Sequence, residues 1–341
     1  MGVDISVLIP TYQRARKLAA CVESLARQSG DVRFEVIVGL DGPDEASTRA
    51  ARAAWGAERS DRELRVIECP RAGYTQVRNH LVDQARGRVM LSLNDDVIAD
   101  PELVRTHWHE HEARRRGGQH AAIIVGSAPY LRRPRGELDS MLDRLVRETS
   151  MVFFYDAMNT PEALRDREKD WGYRHCFGLN FSADMQSVRT VGKFLARPHM
   201  YGYDDIELGY KLSTRLKMPV LYRPEARVIH DHFYTADALL ERERALGRAA
   251  WVFAEANPAF AVAAFGRDIR SPSEIAYSKE FVHRERAAAE RGAATLAALE
   301  HVPSDAVNGT HAESLFRALY EQHLLVKRWN WRRGLVEMSE R

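Results

Sequence analysis

The feature that most constrains this chain is an alternation in its first hundred residues. "DISVLIP" (4–10), "FEVIVGL" (34–40), "LRVIE" (64–68) and "RVMLSL" (88–93) are short runs rich in Val, Ile and Leu, and they read as buried strands. Between the first two, Leu18, Cys21, Val22 and Leu25 recur at helical spacing. Further helices are expected near 45–55 and 74–86, the latter turning Val77, Leu81 and Ala85 inward. Strand and helix taking turns predict a parallel sheet covered by helices.

Such sheets receive ligands beyond the carboxyl ends of their strands. Three of those ends are Pro10-Thr11-Tyr12, Asp41-Gly42-Pro43 and Asn94-Asp95-Asp96, so they are expected to meet at one crevice. The adjacent carboxylates of Asp95 and Asp96 repel, and a fold keeps them together when a positive group stands by. Capping of the next helix, with Pro101 in its first turn, is the competing explanation. No GxGxxG follows the first strand, which argues against a dinucleotide site.

Composition narrows the class. At 341 residues, 45% hydrophobic and 29% charged, the chain reads as an ordinary globular protein with one large or two modest domains. Arginine dominates lysine, the bias of a G+C-rich bacterial genome, and a net charge of +2 gives no electrostatic case for nucleic acid. Three scattered cysteines form no CxxC pair, no apolar run reaches the roughly 18–20 residues of a membrane span, and no signal-peptide pattern opens the chain. A reducing, cytoplasmic setting is expected.

The middle third mixes strand-like "AAIIVGSA" (121–128), "CFGLNFS" (176–182) and "PVLYRP" (219–224) with a helix expected at about 204–216. Beyond Thr235 the sequence becomes Ala/Glu/Arg-rich and helical over 235–256, about 273–300 and 311–329. Two domains are expected: 1–234, with a nucleotide half (1–100) and an acceptor half (101–234), and a helical extension, 235–341.

Four stretches stand in order: "SVLIPTYQR" (6–14), "FEVIVGLDGPDE" (34–45), "RNHLVDQARGRVMLSLNDD" (78–96) and "GYDDIELGYKL" (202–212). Through them, residues up to about 232 resemble family 2 glycosyltransferases, inverting enzymes of the GT-A fold, a Rossmann-like mixed sheet flanked by helices. The resemblance implies that Pro10, Thr11, Tyr12 and Arg14 line the nucleotide, and that Asp41 meets the nucleoside. Leu40 and Pro43 depart from the family's "DDGS", which leaves the base open. A plain strand-end turn accounts for Tyr12, and an Asp-Gly turn for Asp41.

Asn94-Asp95-Asp96 takes the place of the family's DxD. The resemblance gives Asp96 to a Mn²⁺ or Mg²⁺ ion, Asp95 to the ribose or to the ion through water, and Asn94 to the nucleotide site. A hard divalent cation suits carboxylate oxygen. Arg78 approaches the nucleotide or pairs with an acid. Asp205 is the implied base for the acceptor hydroxyl and Asp204 its orienting neighbour, although either carboxylate also favours a helix start. His230, and less so His232, is the implied third metal ligand, against a role at a strand end. Trp171 and Tyr173 are placed to stack on an acceptor sugar and Asn180 to bond it, unless they are core.

Two further features stand outside the resemblance. His107, His109 and His111 in "HWHEHE" read as a partly exposed helix rather than a metal site. "ARRRGG" (113–118) and "LRRPRG" (131–136) read as solvated, and "KRWNWRR" (327–333) as either a membrane-surface helix or a contact between two copies. The expected activity is transfer of a sugar from a nucleotide diphosphosugar, a UDP-sugar favoured, to a hydroxyl of a glycan, a lipid-linked sugar or a small molecule. The alternatives are a sugar-phosphate nucleotidyltransferase and a non-catalytic carbohydrate-binding protein of the same fold.

Overall fold

The computed structural model describes residues 2–57, 60–197 and 200–341. Contacts divide the chain into two compact units. The first comprises Met1–Leu131, Ala157–Met200 and Asp204–Asp231. It holds eight strands among the described residues: β1 (Ile5–Thr11), β2 (Phe34–Asp41), β3 (Arg62–Cys69), β4 (Val89–Leu93), β5 (Val97–Ala99), β6 (Ile123–Ser127), β7 (Asn180–Asp184) and β8 (Val220–His230). They form one sheet in the order β3-β2-β1-β4-β7-β6-β8-β5.

The β3-β2-β1-β4 half is parallel, as the alternation predicts, with Ile5 beside Phe34 on one flank and Val89 on the other. Every residue of β1 is buried, because helices cover both faces of the sheet and leave no solvated side. The other half is mixed. β7 runs antiparallel to β4 and β6, β8 runs parallel to β6, and β5 runs antiparallel to β8.

The helices of this unit are α1 (Ala15–Ala26), α2 (Glu45–Trp55), α3 (Tyr74–Gln84) and α4 (Leu103–Arg116), and, after α5 (Met141–Glu148) of the second unit, α6 (Pro161–Arg165), α7 (Met185–Thr190) and α8 (Asp204–Leu216). The expected stripe of Leu18, Cys21, Val22 and Leu25 is the buried face of α1. Asp44 caps α2, its carboxylate accepting from the Ser47 N–H. Two expectations change here. "PVLYRP" and the following "ARVIH" fuse into the single strand β8, and β5 has no counterpart in the sequence reading.

The second unit comprises Arg132–Asp156, Tyr201–Tyr203 and His232–Arg341. It contains α5 (Met141–Glu148), α9 (Ala236–Ala256), α10 (Pro258–Phe265), α11 (Pro272–Arg284), α12 (Arg286–Leu299) and α13 (Thr310–Ser339). Besides the chain from His232 onward, the unit takes in two earlier segments that composition does not mark. The helix expected over 273–300 is two, divided at Glu285. α9 and α13 touch backbone to backbone. A Cβ on Gly247 would stand 1.9 Å from the Trp331 carbonyl oxygen, and one on Gly334 2.0 Å from that of Arg244.

The stretch 327–333 lies within this packing. Trp329 is buried against Phe281 and Ala289 and donates its indole N–H to the Val282 carbonyl at 2.9 Å. Trp331 donates to the Tyr203 hydroxyl at 2.8 Å, and the buried Arg332 pairs with Glu274 at 2.8 Å. Trp329 and Arg332 thus serve the interior of the helical unit, and Trp331 is half-buried.

Candidate active site

The carboxyl end of β4 delivers Asn94, Asp95 and Asp96 into a two-residue turn, and β5 begins at Val97. Both aspartates are 4% exposed. The positive group that the sequence demanded is Arg14, at the start of α1. Its guanidinium reaches Asp95 through Nη1 and Asp96 through Nη2, each at 2.8 Å. Thr11 at the end of β1 donates its hydroxyl to the other Asp95 oxygen at 2.6 Å. Burial pushes the Asp95 carboxyl up to about 6, the Arg14 charge opposing and the Asp96 charge adding to the rise.

β5 explains how His230 reaches this corner. Val97 pairs with His230, and the Asp231 N–H donates to the Asp96 carbonyl at 2.8 Å. His230 Nε2 then stands 3.6 Å from Asp96 Oδ1, with both side chains buried. Neighbouring ligand atoms of an octahedral ion bound at 2.0–2.2 Å stand roughly 3 Å apart, so this oxygen–nitrogen pair fits a divalent cation in spacing and in donor chemistry. Lys17, one turn along α1, pairs with Asp231 at 2.6 Å.

The acidic motif opens α8. Asp205 accepts from the Gly178 N–H at 2.7 Å and from the Ile206 N–H at 2.8 Å, so both of its oxygens are held by backbone donors. Burial, then the neighbouring Asp204 charge, raises its carboxyl to about 6. Asp204 is buried and accepts from Arg78 at 2.9 Å and from the Tyr74 hydroxyl. Arg78 therefore pairs with an acid, and the acid is buried rather than on the surface. Its other nitrogen donates to Asn94 Oδ1 at 2.8 Å and to the Gly178 carbonyl at 3.2 Å. One guanidinium thus ties the Asn94-Asp95-Asp96 turn to the acidic motif.

Around the strand tips, Pro10 is buried in β1, while Tyr12 is 39% exposed with the Arg71 guanidinium 4.8 Å from its ring centroid. Asp41 accepts from the Ala72 and Gly73 N–H groups at 2.7 and 3.1 Å, which shapes the loop into α3.

On the expected acceptor side, Trp171 and Tyr173 are half-buried. Trp171 lies under Lys169 and edge-on to His175, and Tyr173 is edge-on to Tyr210 of α8. Asn180 is corrected: it is fully buried, its amide nitrogen donating to the Ser127 and Ala226 carbonyls and its oxygen 2.9 Å from His107 Nε2. No part of it is left for a sugar. The His107 reading changes with it, because this histidine is core, its other ring nitrogen 2.8 Å from Ser182 Oγ, as is His111 Nε2. Only His109 of the three is exposed.

Three residues of the site escaped the sequence reading: Gly178, Tyr74 and Arg71. Arg71 had a signal, since it follows the tip of β3 and the strand-tip rule that selected Asp41 applies equally there. Gly178 acts through its peptide groups, which no side-chain pattern reveals.

A mixed sheet whose parallel half ends in paired carboxylates, with a fixed carboxylate at a nearby helix start, is the arrangement expected of a glycosyltransferase. The chain matches Glycosyl transferase family 2 over residues 6–191 and is a member of that family. It is 28% identical over 225 residues to the validoxylamine A glucosyltransferase of Streptomyces hygroscopicus subsp. jinggangensis (strain 5008), covering 62% of this chain and 51% of that protein. It is 32% identical over 107 residues to the uncharacterized glycosyltransferase YfnE of Bacillus subtilis (strain 168), covering 31% of this chain and 26% of that one. The chain thus spans about half the length of the validoxylamine A glucosyltransferase. Among solved structures, the mannosyltransferase of Pyrobaculum calidifontis in complex with GDP-Man and Mn²⁺ aligns at a TM-score of 0.55 with 14% identity, covering 100% of this chain and 86% of that one. The fold is GT-A. No helix among the described residues is long and apolar enough to cross a membrane.

Proposed function

We propose that this glycosyltransferase moves a sugar from a nucleotide diphosphosugar, a UDP-sugar favoured, to an acceptor hydroxyl with inversion, in a reaction that depends on a divalent cation. The observation that carries the reading is the Arg78 bridge, which holds the Asn94-Asp95-Asp96 turn and the Asp204-Asp205 motif in one site. Asp96 and His230 hold the cation, and His232, two residues further along the chain, is the third donor in this proposal. Bound there, Mn²⁺ or Mg²⁺ neutralises charge on the leaving nucleoside diphosphate. The mannosyltransferase that shares the fold was described with Mn²⁺, which makes that ion the first to try.

The remaining roles belong to this chain's own groups. Tyr12, backed by Arg71, offers a ring for the base, and Arg14 offers charge to the diphosphate. Asp205 takes the proton from the acceptor oxygen as that oxygen attacks the anomeric carbon. Its two backbone hydrogen bonds fix where the proton is received. Asp204, locked by Arg78 and Tyr74, keeps the start of α8 in place. One displacement of this kind inverts the anomeric centre and needs no enzyme nucleophile. The relative named for glucose transfer to validoxylamine A favours a small-molecule acceptor over a polymer.

The test is calorimetric titration with UDP, GDP and dTDP, with and without Mn²⁺, in the wild type and in Asp96→Ala. Metal-dependent binding of one nucleotide, lost in the variant, is expected. A protein that binds none of the three under either condition is a binder or scaffold that has lost the donor site, and the proposal falls.

A further inference from the structure

We propose that Arg14 is the resident counter-cation of the metal corner, and that it makes uptake of a divalent cation and uptake of a nucleoside diphosphate depend on each other. The inference rests on the metal-dependent reading above and adds to it a mechanism for ordering the two ligands.

The geometry is specific. A planar fork meets two carboxylates from adjacent residues, one nitrogen on each, at 2.8 Å both times. The aspartates are 4% exposed, so their repulsion is poorly screened and a positive group must stay close. The Arg14 side chain, by contrast, is 36% exposed. On the far side of Asp96, Oδ1 faces His230 at 3.6 Å, while Oδ2 is taken by Arg14. A cation arriving alone therefore meets a pair of carboxylates whose charge one guanidinium already partly offsets, with that positive centre a few ångströms away. Lys17, one turn along α1, is paired with Asp231 beside His230, a couple that brings no net charge to the corner and leaves Arg14 as its counter-cation.

A diphosphate changes the balance. Guanidinium binds phosphate oxygens in the same forked geometry as carboxylate, so Arg14 gains an anionic partner as the nucleotide enters. Each bond it transfers to the diphosphate returns negative charge to Asp95 and Asp96, and the cation is held more tightly. By reciprocity, the cation strengthens nucleotide binding by the same factor.

The experiment measures Mn²⁺ binding by the loss of the free-ion electron paramagnetic resonance signal, and UDP and GDP binding by calorimetry, each alone and together. Wild type is expected to bind Mn²⁺ alone weakly, with the nucleotide tightening it. In Arg14→Met, Mn²⁺ alone binds about tenfold tighter, because a charge has been removed from beside its ligand. The nucleotide alone binds more weakly, and the factor by which each ligand helps the other shrinks about fivefold or more. Arg14→Lys keeps the charge without the fork, and its affinity for Mn²⁺ alone stays nearer to wild type. If Arg14→Met does not fold, Arg14→Gln, which keeps a donor for Asp95, is read by the same criteria.

Unchanged or weaker binding of Mn²⁺ alone in the neutral variant, or an unchanged mutual factor, overturns the inference. Asp96→Ala separates its failure from that of the underlying reading. If Asp96→Ala takes up Mn²⁺ and nucleotide as well as wild type, the metal site itself is wrong. If it loses them while Arg14→Met behaves as wild type, only the role of Arg14 is wrong.

Discussion

As the base in the proposed mechanism, Asp205 sets an acidic limit on turnover. A base must be ionised to accept the acceptor's proton, and burial beside Asp204 raises this carboxyl to about 6, with Arg78 and two backbone donors pulling the other way. The turnover rate is therefore expected to climb about tenfold per pH unit below 6 and to level off above it. Asp205→Asn keeps the shape and removes the base, so transfer or donor hydrolysis falls about 10³-fold while nucleotide affinity holds. Steady-state rates from pH 4.5 to 8, set beside calorimetry on the variant, check both statements. A flat profile, or a variant that still turns over, moves the base elsewhere. In the proposal the distinction between Asp204 and Asp205 comes from their partners: Asp204 is consumed by Arg78 and Tyr74, whereas the oxygens of Asp205 accept from the peptide N–H groups of Gly178 and Ile206.

At the scale of elements, two contacts bear weight. The α9–α13 seam closes because Gly247 and Gly334 have no Cβ, and Gly247→Ala drives a methyl into the Trp331 carbonyl at 1.9 Å. The helices must separate, and a loss of about 2 kcal/mol or more is expected in urea unfolding. The α4–β7 seam turns on His107, buried neutral between Asn180 and Ser182 with its pKa pushed down to about 4. The unfolded chain takes up a proton near pH 6.5 and the folded chain does not. This stabilisation is complete above pH 6.5 and drains away as pH falls toward 4, about 3 kcal/mol in all. Melting curves across that window should slope steeply in wild type and less so in His107→Gln. The same seam shows what sequence alone conveys. β1, β2 and β4 and the helices between them were legible because their apolar residues recur at one period, and the strand-tip rule then located Thr11, Asp41 and Asp96. β5 is three residues long and carries no period, yet its pairing with β8 is what brings His230 to Asp96. Asn180 was misplaced for a related reason: only the pleat, unseen in the sequence, decides which face of β7 it joins.

At the scale of the molecule, the helical unit is not a tail that can be cut away. α5 ends at Glu148, 88 residues before the unit's next helix begins at Ala236, and its Met141, Leu142 and Leu145 are at most 1% exposed. Its backbone and Arg144 bond to the Val302, Ser304 and Val307 carbonyls. A fragment ending at Tyr234 retains α5 without that cover, and is expected to aggregate and to bind a hydrophobic dye. A monodisperse fragment that unfolds in one sharp transition would contradict this. The interleaving also has a timetable. Arg144 leaves the ribosome 163 residues ahead of Val307, a wait of roughly 10–30 s at ~5–20 residues per second. Through that interval the nascent chain carries a helix whose apolar face lacks this cover, so the yield of this protein in a cell is expected to depend on the pace of translation and on chaperones as well as on the stability of the finished fold.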